Sequence, residues 1–233
     1  MSSILNMVEA LTTETTVNDS KPAKRASVAF PTLVETKRNE CAGIVSNLVL
    51  DHLKERADFL LNKGDEVTDI RTALNAFNGR AFDRLESAGF DFAPLMRKLG
   101  KHNDLKGADN FLANKTHAKV VNLVNALAQE NAELLGSALI VSYTRFILEN
   151  AMSNSNKLSN QGVWSSLSKR VEKPNTENVK SASYTPGTAG AQGSQVRDAL
   201  FSLGFAMIQK RKKDDTLQLT QAGVDYLSIL FNK

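Results

Sequence analysis

The chain has 233 residues, of which 42% are apolar, and 29 Lys and Arg against 25 Asp and Glu give a net charge of +4. A single cysteine, Cys41, excludes an internal disulfide, indicates a reducing compartment and, with only three histidines, excludes a thiolate zinc site. No apolar run approaches the roughly 18 residues of a membrane span. The first 20 residues lack the basic region of a secretion signal. We therefore expect a cytoplasmic protein without membrane contact, metal or cofactor.

The small net charge hides an uneven distribution along the chain. Residues 1–153 carry 18 basic and 19 acidic side chains, a net charge of −1, whereas residues 154–233 carry 11 basic and 6 acidic ones, a net charge of +5. All of the excess positive charge lies in the last third. Such asymmetry is typical of a protein with a polyanionic partner.

Residues 1–30 are predicted to form a flexible N-terminal arm. The arm begins with apolar residues at helical spacing (Ile4, Leu5, Val8 and Leu11) and continues as a polar, Thr-rich stretch. A helix this short is marginal alone. The segment is therefore either a frayed tail or an arm that docks its apolar face on a neighbouring subunit.

Helical periodicity predicts an all-α body over residues 31–153, through which the chain would oligomerise. Thr32 and Glu35 form a capping-box pattern at the start of the first helix. The segment 132–152 is apolar nearly all round and is expected to be the central, buried helix. The predicted helices cover residues 32–62, 69–77, 80–88 and 93–99, a helix that begins at Thr116, and residues 132–152.

Residues 154–233 are predicted to form a separate basic domain. It begins with a candidate helix over 159–171, and three glycines and a proline within 181–194 predict a loop. A helix ending at Gly204 follows. Two extended runs, Phe205–Gln209 and 216–219, then form a hairpin, and Thr220 caps a closing helix.

The order helix, basic hairpin, helix resembles the C-terminal half of winged-helix domains. Leu203-Gly204 ends the helix that corresponds to the recognition helix, and Leu219–Gly223 matches the Leu-Thr-x-x-Gly that begins the closing helix. The resemblance covers about 40 residues and implies a mainly helical fold that contains one β-hairpin. Winged helices also serve as protein–protein modules, so the resemblance says less about function than about fold.

The hairpin turn carries the strongest functional signal in the chain. Four consecutive cations on a rigid turn can reach successive phosphates, although Asp214 and Asp215 reduce the charge of the turn to +2. The alternative interpretation is a solvated hairpin tip. The candidate phosphate contacts are Lys210, Arg211, Lys212 and Lys213, extended by Lys169, Arg170, Lys173, Lys180 and Arg197.

Two aromatic residues of the basic third are candidate stacking platforms for single-stranded bases. Trp164 lies among Val163, Leu167 and Val171, which favours core packing over stacking. Tyr184 lies among Ser, Gly and Thr residues that offer little to bury it, so it is the better candidate.

No nucleophile, base and orienting residue are grouped in the sequence, and we predict no enzyme. The spacing Gly187, Gly190, Gly193 lacks the Gly-Lys-Ser/Thr ending and the preceding strand of a phosphate-binding loop, so a linker is favoured. The carboxylates of Glu130 and Glu133 have no nearby His and are interpreted as a solvated helix face.

The helical body and the basic end together resemble the single-stranded-DNA-binding RNA polymerase cofactors of small lytic phages. The residues that carry the resemblance are Val120–Ala128 and the segment 195–231. It implies sequence-tolerant binding to single strands, assembly as a homo-oligomer and recruitment of RNA polymerase. Two alternatives stay open: a duplex-binding regulator that sets Arg197 in the major groove, and a helical scaffold that binds no nucleic acid.

Overall fold

Short helices separated by turns make up most of the computed structural model, which describes residues 29–100, 116–153, 156–159, 186–209 and 216–232. The mainly helical fold class is confirmed, and so are the helices predicted at 69–77, 80–88 and 93–99, to within one residue. The helices are α1 (Phe30–Arg38), α2 (Ile44–Asn62), α3 (Thr68–Ala76), α4 (Gly79–Ser87), α5 (Ala93–Gly100), α6 (Thr116–Gln129), α7 (Ala138–Met152), α8 (Pro186–Ser202) and α9 (Gln221–Phe231), with a 3-10 turn at Ala132–Leu135.

The single helix predicted over 32–62 is wrong, because the chain breaks between α1 and α2. Gly43 precedes α2 in an extended conformation, with a φ of −85° and a ψ of 169°. The carboxylate of Asp83 accepts hydrogen bonds from the backbone N–H groups of Ala42 and Gly43, which a continuous helix would need for itself. The capping box also fails, since α1 begins at Phe30, before Thr32, and has no side-chain cap.

The helix predicted over 132–152 is likewise divided, and α6 rather than α7 is central. Gly136, with a φ of +123°, separates the 3-10 turn from α7, a conformation that favours glycine. Helix α6 contacts α3, α4, α8 and α9. Its small and β-branched residues allow these close approaches, and most of its side chains are buried: Thr116, His117, Val120, Val121, Leu123, Val124, Ala126, Leu127 and Ala128.

The loop predicted over 181–194 is wrong from residue 186 onward, because Pro186 begins α8. Proline is favoured in the first turn of a helix, where its missing N–H group has no partner to lose. The glycines that suggested a loop lie in a helix that packs against α6 and α7. Tertiary contact compensates for their low helix propensity.

Three short antiparallel strands form a sheet in the order β1-β3-β2: β1 (Leu158–Ser159), β2 (Ala206–Gln209) and β3 (Thr216–Leu219). The predicted hairpin is confirmed by the pairs Ala206–Leu219 and Gln209–Thr216, which set the register of β2 and β3. The predicted cap of α9 is confirmed too, since the Thr220 hydroxyl accepts a hydrogen bond from Gly223 N at 3.1 Å.

One hydrophobic cluster runs from α1 to α9, across the boundary predicted at residue 154. Phe90, which follows α4, contacts Phe205 at the base of the hairpin with ring centroids 5.6 Å apart and Tyr226 of α9 at 4.8 Å. Aromatic packing of this kind fixes the orientation of the hairpin relative to the helices. In the described ranges, no helix is long and apolar enough to span a membrane.

Candidate nucleic-acid interface

The hairpin presents one apolar and one largely polar face. Residues paired directly across antiparallel strands lie on the same face. Ala206, Leu217 and Leu219 are buried against the helices. The opposite face carries the pairs Met207–Gln218 and Gln209–Thr216, and Met207 is 48% exposed. The outward face therefore offers amide and hydroxyl groups to solvent, with one exposed apolar side chain.

Hydrogen bonds fix the base of the hairpin. Thr220 N donates to Phe205 O at 2.9 Å, and the Thr220 hydroxyl donates to Gly204 O, also at 2.9 Å. The side-chain amide of Asn156 donates to Leu219 O and accepts from Leu219 N, both at 3.2 Å. Because the base is held at several points, the strand ends Gln209 and Thr216 have a defined position. The chain that connects them is the basic segment 210–215.

Most of the residues predicted to bind nucleic acid lie outside the described residues. They are Trp164, Lys169, Arg170, Lys173, Lys180, Tyr184, Lys210, Arg211, Lys212 and Lys213.

Arg197 is the one predicted contact residue that the structure describes, and it is largely enclosed. Its side chain is 13% exposed, and its Nε lies 3.5 Å from a carboxylate oxygen of Asp198. Burial raises the pKa of the Tyr143 phenol, and the positive charge of Arg197 acts on that phenol in the opposite direction. Arg197 of α8 therefore lies near Tyr143 of α7, at the junction of the two helices. It does not form part of an open surface.

Phe201, in the last turn of α8, is an exposed aromatic residue that the sequence analysis missed. It is 40% exposed, and the Lys98 ammonium of α5 lies 4.2 Å from its ring centroid. The available signal was its position, because Phe201 lies outside the apolar stripe formed by Val196, Leu200 and Leu203. A large apolar residue beside such a stripe faces solvent rather than the core.

The described residues contain no cluster of three or more His, Cys, Asp or Glu side chains that could hold a metal ion. The two described histidines, His52 and His117, line one small cavity of about 10 Å³ between α2, α5 and α6. The His117 ring Nε2 lies 3.2 Å from Asp69 O. Such a cavity is about the size of one water molecule. Both histidines are buried.

No protein-family model, no curated protein and no solved structure matches this chain.

Proposed function

We propose that this chain is a non-enzymatic nucleic-acid-binding protein that prefers single-stranded DNA. The observation that carries the proposal is that the Lys210–Lys213 run falls, in the sequence, between two paired strands whose base is fixed to the helical core. A rigid base lowers the entropy lost when successive cations contact successive phosphates. The excess positive charge of residues 154–233 supports the same partner.

The proposed binding unit is a winged-helix element. Its support is the order α7, β1, α8, β2, β3, α9 together with the strand order β1-β3-β2. In this assignment α8 corresponds to the recognition helix and the β2–β3 hairpin to the wing. Duplex recognition would require α8 side chains in the major groove, and Arg197, the residue predicted for that contact, is 13% exposed. This enclosure favours single strands over a duplex.

Single-strand binding also needs surfaces on which bases stack, because every base has a π face. Phe201 is an exposed ring with a cation close to it, and Met207 is an exposed apolar side chain on the outward face of the hairpin. Phe201 lies in the last turn of the proposed recognition helix, and Met207 lies in the first strand of the proposed wing. Together with the basic run, they supply the two kinds of contact that sequence-tolerant binding requires.

The test is charge reversal on the full chain. The variant Lys210→Glu/Lys212→Glu and the control Lys54→Glu/Arg84→Glu both lower the net charge from +4 to 0. Anisotropy with a labelled random single strand at low salt measures affinity. We expect at least a tenfold loss for the hairpin variant and a smaller loss for the control. Equal affinities for the wild type and the hairpin variant would contradict the hairpin as the binding site, and no measurable binding by the wild type would leave the scaffold alternative.

A second comparison tests the type of strand. The wild type is titrated with a random single strand and with a random duplex of equal length, at several salt concentrations. The slope of log affinity against log salt is about −0.7 per phosphate contact for single strands, so it counts the contacts. We expect tighter binding to the single strand. A marked preference for the duplex would favour the duplex-binding regulator instead.

The family resemblance adds two parts to the proposal. They are homo-oligomer formation and recruitment of RNA polymerase in phage transcription. The apolar spacing of Ile4, Leu5, Val8 and Leu11 supports an arm that docks on a second copy, although these residues lie outside the described ranges. Deletion of residues 2–20 is therefore expected to reduce the mass measured by light scattering. An unchanged mass would exclude the arm as an oligomer contact.

A further inference from the structure

An open polar groove lies on the helical body, where the end of α1, the α3–α4 corner and the end of α6 meet. Its volume is about 540 Å³, within the range of small-molecule sites. Phe77 in its lining is fully buried, so the groove offers hydrogen bonds rather than a stacking surface. The polar side chains that line it are Lys37, Glu40, Asn75, Asn78, Arg80, Asn125 and Gln129.

Asn125 is held in a fixed orientation with part of its hydrogen-bonding capacity unused. Its Nδ2 donates to Ala76 O at 2.8 Å, which identifies the nitrogen and therefore the oxygen of the amide. Its Oδ1 is buried and accepts no hydrogen bond from the described residues. The amide of Asn125 is therefore a fixed part of the groove wall, and the exposed amides of Asn75 and Gln129 are the ones that a ligand in the groove can reach.

The charges around the groove favour an anionic group at one side. Lys37 is paired with Glu40, with Nζ 3.3 Å from Oε1. Arg80 is exposed in the first turn of α4, and no hydrogen bond or ion pair joins its guanidinium to another described side chain. A guanidinium in this setting can bind a phosphate in bidentate fashion.

We propose that this groove binds a nucleotide. Asn and Gln side chains pair with the donor and acceptor edges of bases, adenine above all, and Arg80 supplies the phosphate contact. The ligand is a phosphorylated nucleoside, either free or as one unit of a nucleic-acid strand. The second source rests on the proposed function.

The groove and the hairpin are separate sites. The groove lies at the N-terminal end of α4, beside Asn78 and Arg80. The other end of α4 leads to Phe90, which packs against Phe205 at the base of the hairpin. The two sites can therefore be changed independently by mutation.

The experiment titrates the full chain with adenosine 5′-monophosphate by calorimetry and compares Arg80→Glu with Arg84→Glu. Both residues are exposed on α4, both substitutions change the charge equally, and Arg84 lies outside the groove. We expect Arg84→Glu to bind as the wild type does and Arg80→Glu to bind at least tenfold more weakly. Thermal unfolding of both variants shows whether either has lost its fold. If Arg80→Glu does not fold, Arg80→Gln replaces it.

The sources of the nucleotide are distinguished by competition. If oligo(dA) displaces the mononucleotide, the groove takes a unit of a strand; if it does not, the groove takes the free nucleotide. Three results would overturn the proposal: no binding to the wild type at millimolar nucleotide, equal affinities of the two arginine variants, or displacement of the nucleotide by equimolar inorganic phosphate.

The hairpin variant Lys210→Glu/Lys212→Glu distinguishes failure of the groove proposal from failure of the proposed function. We expect this variant to lose affinity for single strands while it retains the mononucleotide. Failure of the groove then shows in the mononucleotide titration alone. Failure of the proposed function shows in the anisotropy titration alone.

Discussion

Gly223 of α9 lies directly against the main-chain carbonyl of Phe205. A Cβ at position 223 would overlap both the carbon and the oxygen of that carbonyl group. The same oxygen accepts a hydrogen bond from Thr220 N at 2.9 Å. The first turn of α9 is therefore pressed onto the chain that enters β2, and this contact needs a residue without a side chain. The Leu-Thr-x-x-Gly pattern has its physical basis here.

Gly223→Ala is expected to lower the free energy of unfolding by about 1–3 kcal/mol, because the helix must move away from Phe205 to admit the methyl group. Gly187→Ala, in the first turn of α8, is the matched control, since no atom lies within 4 Å of a Cβ built there. The control is expected to be neutral or slightly stabilising. Urea unfolding measures both, and equal midpoints would contradict the close contact.

Asp83→Ala removes a carboxylate that connects α4 to the start of α2. This carboxylate accepts from Ala42 N at 2.8 Å, from Gly43 N at 2.9 Å and from the Ser46 hydroxyl at 2.5 Å. We expect a loss of about 2 kcal/mol in the free energy of unfolding. Asp58→Ala removes an exposed ion pair with Lys54 and should cost less than about 0.5 kcal/mol. A similar cost for both variants in urea unfolding would show that the tertiary cap contributes little.

Phe201→Ala is expected to weaken binding of single-stranded DNA about tenfold, since stacking on an aromatic ring contributes about 1–3 kcal/mol per base. Phe201→Tyr keeps a ring and should restore most of the affinity. Ile229→Ala, at a side chain that is 54% exposed on α9, is the control and should leave the affinity unchanged. Unchanged anisotropy curves for Phe201→Ala would exclude the ring as a stacking surface.

Lys119 gives a pH-dependent prediction. It lies on α6 beside a cavity lined largely by aliphatic side chains, and burial lowers the pKa of its ammonium below 10.5. Between the lowered pKa and 10.5, the unfolded chain binds more protons at this residue than the native one. The contribution of Lys119 to stability therefore rises with pH across that window.

Lys119→Met lacks this titration. We expect the variant to be more stable than the wild type at pH 7 and to lose part of that advantage by pH 10, as measured by urea midpoints. Lys54→Met is the control. A hydrogen bond to Asp58 raises the pKa of Lys54, so the pH dependence of stability that this residue contributes has the opposite sign. A stability difference between Lys119→Met and the wild type that is the same at both pH values would contradict the desolvation of Lys119.

Local patterns predicted the elements well where a cap or a glycine marks their ends. Thr220 caps α9 as predicted, and the predicted end at residue 62 coincides with the end of α2, which Gly64 follows with a φ of +75°. The predictions were wrong where a distant residue decides the local conformation. The break before α2 depends on Asp83, which is 40 residues from Gly43, and the helical state of 186–194 depends on packing against α6.

The candidate sites also differ in whether the sequence alone could reveal them. The basic run Lys210–Lys213 is contiguous, so charge counting detects it directly. Phe201 was detectable only from its position beside an apolar stripe. The groove was not detectable, because Arg80 and Asn125 lie 45 positions apart and belong to different helices.

The sequence by itself determined the mainly helical fold class, the hairpin and the concentration of positive charge in the last third, because periodicity, caps and charge are properties of neighbouring residues. Only the tertiary structure decided that α6 is the central helix, that Arg197 is enclosed, and that Phe201 and the groove beside Arg80 face solvent. Burial and exposure depend on which helices pack together, and that packing is set by contacts between residues far apart in the chain.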